Sequence, residues 1–338
     1  MIVRAKSPFR ISFGGGGTDV PPYPEEKGGV ALNVTISKYA YCTLIPRRDE
    51  IAEITSLDYN TTVRYSVKDE PLYDGNLDMA KAVAKVLGIN EGFSLFLHSD
   101  IPPASGLGSS STVAVGLVGV FARWQRMPLS PYEIAKTAWY AERVELKMPG
   151  GRQDQYAATF GGFNFMEFLK DTTIVNPLKI RPDVLNELEY RLILCDTGRR
   201  RLSEGIIDDQ TRRYVQGEGD TRRGYDETKE LAFRMKNALL LGEVDSLGHL
   251  LHEAWQSKKR FSPKITAPVI DEMYEEARKN GALGGKLLGA GGGGYLLFLC
   301  EFDKRHKVAE SLEKMGGRVM DFAFESGGLQ TWIVNKEG

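Results

Sequence analysis

Four stretches of this 338-residue chain carry residue types and spacings that could do chemistry. The central one, Pro102 to Ser111, reads PPASGLGSSS and leads into an apolar segment, Thr112 to Trp124, with the character of a buried helix. Two prolines fix an extended approach, Gly106 and Gly108 let the backbone come close to a ligand, and three serines stand where a helix begins. Unpaired N–H groups at a helix start, the positive end of its dipole and adjacent hydroxyls together suit an anionic polyphosphate. Pro103, Ser105, Gly106, Leu107, Gly108, Ser109, Ser110 and Ser111 are the candidate phosphate-binding residues.

The second stretch is RISFGGGGTD, Arg10 to Asp19. Consecutive glycines after a strand cost backbone entropy, which favours close approach to a ligand over simple turn formation. Arg10 can balance phosphate charge, and Asp19 can accept hydroxyl hydrogens from a polyol held against Gly15, Gly16, Gly17 and Thr18. The third stretch holds Glu142 on a predicted helix and Asp154 past a Gly-Gly turn. Taken singly they read as a solvated helix charge and an N-terminal cap; beside a phosphate cradle they suit a Mg²⁺ ligand and a base for a hydroxyl nucleophile. The fourth, KLLGAGGGGYLLF, contains Gly289 to Gly294 in GxGxxG spacing, but a strand follows where a dinucleotide site needs a helix. It reads as a hairpin loop whose backbone, at Gly291 and Gly292, lies near a ligand or the cradle. Lys286 lacks the spacing and the Ser/Thr of a P-loop. His249 and His252 share a helix without a third ligand and read as packing residues. Arg199, Arg200, Arg201 and Arg152 are candidates to meet a phosphate on a substrate.

The elements that must position these residues follow from patterning. Residues 2 to 66 alternate as strands, and Asn76 to Leu87 reads as an amphipathic helix. A helix from Pro131 to about Leu146, a short one over QDQYAATF and a strand over Gly161 to Phe168 complete a first half. The second half reads as strands separated by helices and a hairpin, a split βαβ arrangement, with Gln216 to Gly224 as a mobile loop. The division expected is residues 1–186 and 187–338. Lys plus Arg (44) balance Asp plus Glu (45), so no global field recruits nucleic acid or an anionic membrane. Cys42, Cys195 and Cys300 lack metal or disulfide spacing, and no apolar run suggests a leader or span, which together predict a cytoplasmic enzyme or binding protein.

PPASGLGSSS, KLLGAGGGGYLLF and RISFGGGGTD, in that relation along nearly the whole chain, resemble the GHMP kinases, named for galactokinase, homoserine kinase, mevalonate kinase and phosphomevalonate kinase. The resemblance implies an α+β, two-domain fold: an N-terminal α/β domain with a left-handed βαβ unit and a C-terminal ferredoxin-like domain, with ATP between them. It implies Asp154 as the catalytic carboxylate, Arg10 as the cation beside it, and Ser110 with Glu142 as Mg²⁺ ligands. Within the family, RISFGGGGTDVPPY is most similar to the branch that phosphorylates the anomeric hydroxyl of a heptose phosphate. The Glu-His pair usual in galactokinases is Gly16-Gly17 here, which disfavours galactose. A non-catalytic sugar and ATP sensor and a decarboxylase are the competing functions; Arg10, Ser110, Glu142 and Asp154 argue against the first, and Thr18-Asp19 against the second.

Overall fold

The computed structural model describes residues 1–200 and 204–335. Two long strands dominate the first half: β1 (Ile2–Gly14) and β2 (Gly29–Pro46), paired antiparallel. The sequence pattern predicts each as two shorter strands. The ladder runs through the polar gap, with Ser7 opposite Ala40 and Pro8 opposite Tyr39, and an irregularity before Phe9 absorbs Ser37 and Lys38.

Such a length lets β2 serve two neighbours along its other edge. Its first half pairs with β6 (Phe163–Phe168) and its second half with β5 (Phe93–Ser99). β3 (Ile51–Ser56) and β4 (Thr61–Ser66) extend the sheet beyond β5, and β7 (Thr173–Pro177) extends it beyond β6. β3 lies parallel to β5, so the chain between them crosses over through β4 and a helix. The helices of this half are α1 (Tyr23–Lys27), α2 (Asp78–Val86), α3 (Ser109–Trp124), α4 (Pro131–Tyr140), α5 (Gln153–Phe160) and α6 (Pro182–Arg191). The serines of the cradle are thus the first turn of α3 itself, which starts three residues earlier than its apolar pattern predicts.

The second sheet contains β8 (Leu192–Asp196), β9 (Ala282–Leu287), β10 (Tyr295–Cys300) and β11 (Arg318–Met320), in the antiparallel order β11-β8-β10-β9 of a split βαβ arrangement. Its helices are α7 (Glu204–Val215), α8 (Gly219–Leu241), α9 (Val244–Lys259), α10 (Pro268–Lys279) and α11 (Arg305–Lys314). The stretch predicted as a mobile loop is mostly the start of α8. Its Thr221 hydroxyl bonds the Arg260 carbonyl, and Gly224 is the small residue that lets α8 meet Ser257 and Phe261. The division expected between 186 and 187 falls inside α6, and the last strand, β12 (Gln330–Val334), returns to pair with β1. No helix among the described residues is long and apolar enough to cross a membrane.

The two halves share a core. Phe9, Ile11 and Phe13 of β1 pack in one cluster with Leu231 and Met235 of α8, Leu250 and Leu251 of α9, and Leu297 of β10. The other face of the sheet buries α3, which approaches closely at Gly116, where a Cβ would stand 3.0 Å from the Cys42 sulfur. At the seam, the two glycine-rich loops meet backbone to backbone. Tyr295 N donates to Ser105 O at 3.1 Å, and a Cβ at Gly289 would fall against the Gly106 Cα. Gly289 also has φ +68°, which a side chain tolerates poorly. Gly88, at φ +65° with open space around it, carries only the second penalty. Gly289→Ala is therefore expected to cost at least about 3 kcal/mol against about 1 kcal/mol for Gly88→Ala in denaturant unfolding; equal losses would contradict the docking.

Candidate active site

One cleft gathers residues from all four stretches. Arg10, buried on β1, donates from Nε and Nη2 to the same carboxylate oxygen, Asp154 Oδ1, each at 2.7 Å, and from Nη1 to Gly106 O at 2.8 Å. It therefore clamps the first turn of α5 to the loop before α3. Asp154 Oδ2 has no hydrogen-bond donor among the described residues and sits beside Gly108, where a Cβ would stand 3.1 Å from it. Gly108 is required there to admit the carboxylate as well as to turn the chain.

At the other end of the cleft, Asp19 holds the turn that precedes α5. Its Oδ2 accepts from Arg152 N (2.9 Å) and Gln153 N (3.1 Å), and its Oδ1 accepts from Gly17 N (3.1 Å). Asp19 thus supplies the helix cap expected of Asp154 when that residue is read alone. Burial pushes the Asp19 carboxyl above its ordinary range, while the bond from Gln153 N opposes the shift and the Asp154 charge adds to it. Thr18 does not reach the cleft, contrary to the expectation for a polyol contact. It is fully buried, with its hydroxyl 2.8 Å from Gly15 O, 2.9 Å from Val30 O and 2.9 Å from Val30 N, so its polar capacity fixes the glycine turn. Gly15 is likewise behind the surface, and Gly16 and Gly17 line it.

Glu142 lies just past the end of α4, which runs not as one helix to Leu146 but into a π-helical turn, Ala141–Glu145. This wider turn brings Glu142 to the cleft, where its Oε2 accepts from Ser111 Oγ (2.6 Å) and Gln155 Nε2 (2.7 Å). Among the described residues, Oε1 has no donor. Ser105, Gly106, Gly108, Ser109, Ser110 and Ser111 all line the cleft, and Ser110 is exposed there. Pro103 and Leu107 do not: Leu107 is buried in the core, and its carbonyl takes the Arg10 N–H at 3.4 Å. From the fourth stretch Gly291 lines the cleft, whereas Gly292 turns its N–H to Ile265 O at 2.8 Å.

Two of the arginines expected to meet a phosphate are engaged elsewhere. Arg200 makes a two-pronged bond to Asp196 (2.7 and 2.6 Å), and Arg152 bonds Leu169 O (2.8 Å), Lys170 O (3.0 Å) and Glu25 (3.1 Å). Neither lines the cleft, nor does Arg199, and Arg201 lies outside the described residues. His252 bonds the Tyr274 hydroxyl at 2.7 Å, as a packing residue would. The cations that do line the cleft are Arg10, Arg143, Lys258 and Lys286. Lys258 was legible as a lysine on the buried stripe of α9, in step with Leu247, Leu251 and Ala254. Lys286 stands in a strand whose last four residues are buried.

Comparison with known proteins fits this geometry. The models for the GHMP kinase N-terminal and C-terminal domains match residues 76–162 and 235–318. Over 98% of its length the chain is 39% identical to D-glycero-alpha-D-manno-heptose 7-phosphate kinase of Campylobacter jejuni, covering 99% of that protein. The chain belongs to the GHMP kinase family. Among solved GHMP kinases, a structure described as a D-glycero-D-manno-heptose 1-phosphate kinase from Bacteroides thetaiotaomicron superposes with TM-score 0.82 at 33% identity, over 99% of this chain and 100% of that one. Lactococcus lactis galactokinase shares the fold, with TM-score 0.79 at 18% identity over 97% of this chain and 95% of that one.

The resemblance implies Mg²⁺ with the ATP, and the oxygen donors here fit such an ion. Mg²⁺ bound through phosphates needs only one or two protein oxygens, and Glu142 with the Ser110 hydroxyl, which has no partner among the described residues, can provide them. No cluster of three or more acidic, His or Cys ligands occurs among the described residues. The buried lysines have a consequence for stability. Burial, with the Arg10 charge adding, lowers Lys286 to about 7, so between that value and its ordinary one the unfolded chain binds a proton that the folded chain does not. Stability should therefore rise with pH between about 7 and 8.5, below thiol ionisation, and Lys286→Met should flatten that slope in denaturant unfolding. An unchanged slope would contradict the burial of its charge.

Proposed function

We propose that this sugar kinase transfers the γ-phosphoryl group of ATP to the anomeric C1 hydroxyl of D-glycero-α-D-manno-heptose 7-phosphate, giving the 1,7-bisphosphate and ADP. The observation that carries the reading is the Arg10–Asp154 pair set between a serine cradle and an acceptor wall, Gly16-Gly17, that has no side chains. The heptose kinases among its relatives support the acceptor. The three cysteines, all free and buried, support a reducing, cytoplasmic setting.

In this mechanism the N–H groups and hydroxyls of Ser105 to Ser111 hold the phosphate tail at the start of α3. Arg10 fixes Asp154 through Oδ1, so Oδ2 accepts the C1 hydroxyl hydrogen and takes that proton as the new O–P bond forms and the bond to the ADP oxygen breaks. Glu142 and Ser110 would hold Mg²⁺, whose chemistry would be to neutralise charge on the transferring group. Gly16 and Gly17 leave room for a longer sugar than a hexose.

Asp154→Asn should keep the fold and ATP binding but lose about 10²-fold or more in kcat, the scale of general-base loss; near-normal turnover would remove Asp154 from the chemistry. Ser110→Ala and Glu142→Gln should raise the Mg²⁺ concentration needed for half-maximal activity, measured at fixed ATP, and unchanged dependence in both would exclude them from the metal shell. The acceptor itself is tested by turnover of heptose 7-phosphate, heptose 1-phosphate, free heptose and galactose. The reading requires the 7-phosphate to have the highest kcat/KM.

A further inference from the structure

Lys258 and Lys286 are buried cations without a carboxylate partner among the described residues. Lys258 is 6% exposed and Lys286 is 4% exposed, yet both line the cleft. The Lys258 ammonium bonds only carbonyls, Leu287 O at 3.1 Å and Gly289 O, and Lys286 bonds Phe13 O at 3.1 Å. Burial and neighbouring positive charge both disfavour their ammonium forms, with Lys286 acting on Lys258 and Arg10 acting on both. An ammonium left so is costly, and a bound anion removes the cost.

Position selects which anion. Arg10 marks the cradle end of β1, since its N–H meets Leu107 O and its guanidinium meets Gly106 O. Lys286 bonds β1 three residues further on, about 10 Å along the strand and next to the glycine turn. Ser12, between them and 5% exposed, lines the cleft with a hydroxyl that has no partner among the described residues. That separation matches the distance from a reacting C1 hydroxyl at Asp154 to the far end of a seven-carbon sugar.

We propose that Lys286 and the Ser12 hydroxyl form the subsite for the phosphate the acceptor already carries, in place of the arginines expected from sequence; Lys258, bonded to Gly289 O where Gly289 packs on Gly106, stands at the cradle end instead. The inference rests on the heptose-phosphate reading above. Two or three charge-assisted hydrogen bonds to a dianion then set the preference for a phosphorylated sugar. The transferred phosphoryl group is served separately by the cradle, Arg10 and the metal ligands.

The test compares wild type with Lys286→Met, Ser12→Ala and Lys286→Arg on heptose 7-phosphate and on unphosphorylated heptose, at saturating ATP. Lys286→Met should lose about 10-fold to 100-fold in kcat/KM on the phosphate through KM, and Ser12→Ala a smaller part of that, with KM for ATP and turnover of free heptose within about twofold of wild type. Lys286→Arg should recover part of the loss. Equal losses on both acceptors would overturn the proposal, assigning Lys286 to the transferred phosphoryl group or to folding. Unchanged kinetics on both would overturn it too. A wild-type enzyme that does not prefer the 7-phosphate would instead defeat the heptose-phosphate reading itself, before any variant is compared.

Discussion

Backbone meets backbone where the loop before α3 touches the loop between β9 and β10, and the cleft exists because of that contact. Ser105 and Gly106 lie against Gly289, Gly294 and Tyr295, with no side chain in the way. The contact brings the start of α3, from the first half, to the strands and helix that carry Lys258 and Lys286, from the second. Arg10 reinforces it by reaching Gly106 O and Asp154 at once. Removing the glycines would move the cradle relative to the acid and the lysines together, so the cost would fall on geometry as well as on stability.

In the proposed mechanism, charge is arranged along the cleft in the order the reaction would use it. Glu142 stands with the α3 serines, the Arg10–Asp154 pair beside Gly106, and Lys286 toward the glycine turn. Among the described residues two ion pairs line the cleft, the tight Arg10–Asp154 pair and a looser Arg143–Glu142 contact at 3.5 Å. Among the same residues the buried lysines bond only carbonyls, which is costly in the empty protein and favourable once anions occupy the cleft. Asp19, by contrast, spends both of its oxygens on backbone N–H groups, so it shapes the glycine turn and the start of α5 more than it contacts a ligand.

Much of this was legible in the sequence wherever local chemistry decides the outcome. The glycine runs, the serines at the start of α3 and the carboxylates Glu142 and Asp154 marked the cleft, because each needs its residue type at its own position. What stayed hidden depends on distant partners. β1 and β2 continue through polar residues because the ladder is held by backbone bonds, and a period-two pattern cannot register that. Gln216 to Gly224 looked mobile because its glycines suggest freedom, whereas Gly224 is there for the close passage of α8 over α9. Arg200 looked free because Asp196, four residues away, was not recognised as its partner. Lys258 and Lys286 were visible only as charges out of place on buried elements.

The most direct measurement of the central claim is a crystal structure with a non-hydrolysable ATP analogue, Mg²⁺ and heptose 7-phosphate bound together. The account predicts the triphosphate along Ser105 to Ser111 and the C1 oxygen within about 2.6–3.2 Å of Asp154 Oδ2, with the phosphate of the sugar at Lys286 and Ser12. A C1 oxygen remote from Asp154, or a triphosphate outside the cradle, would contradict it.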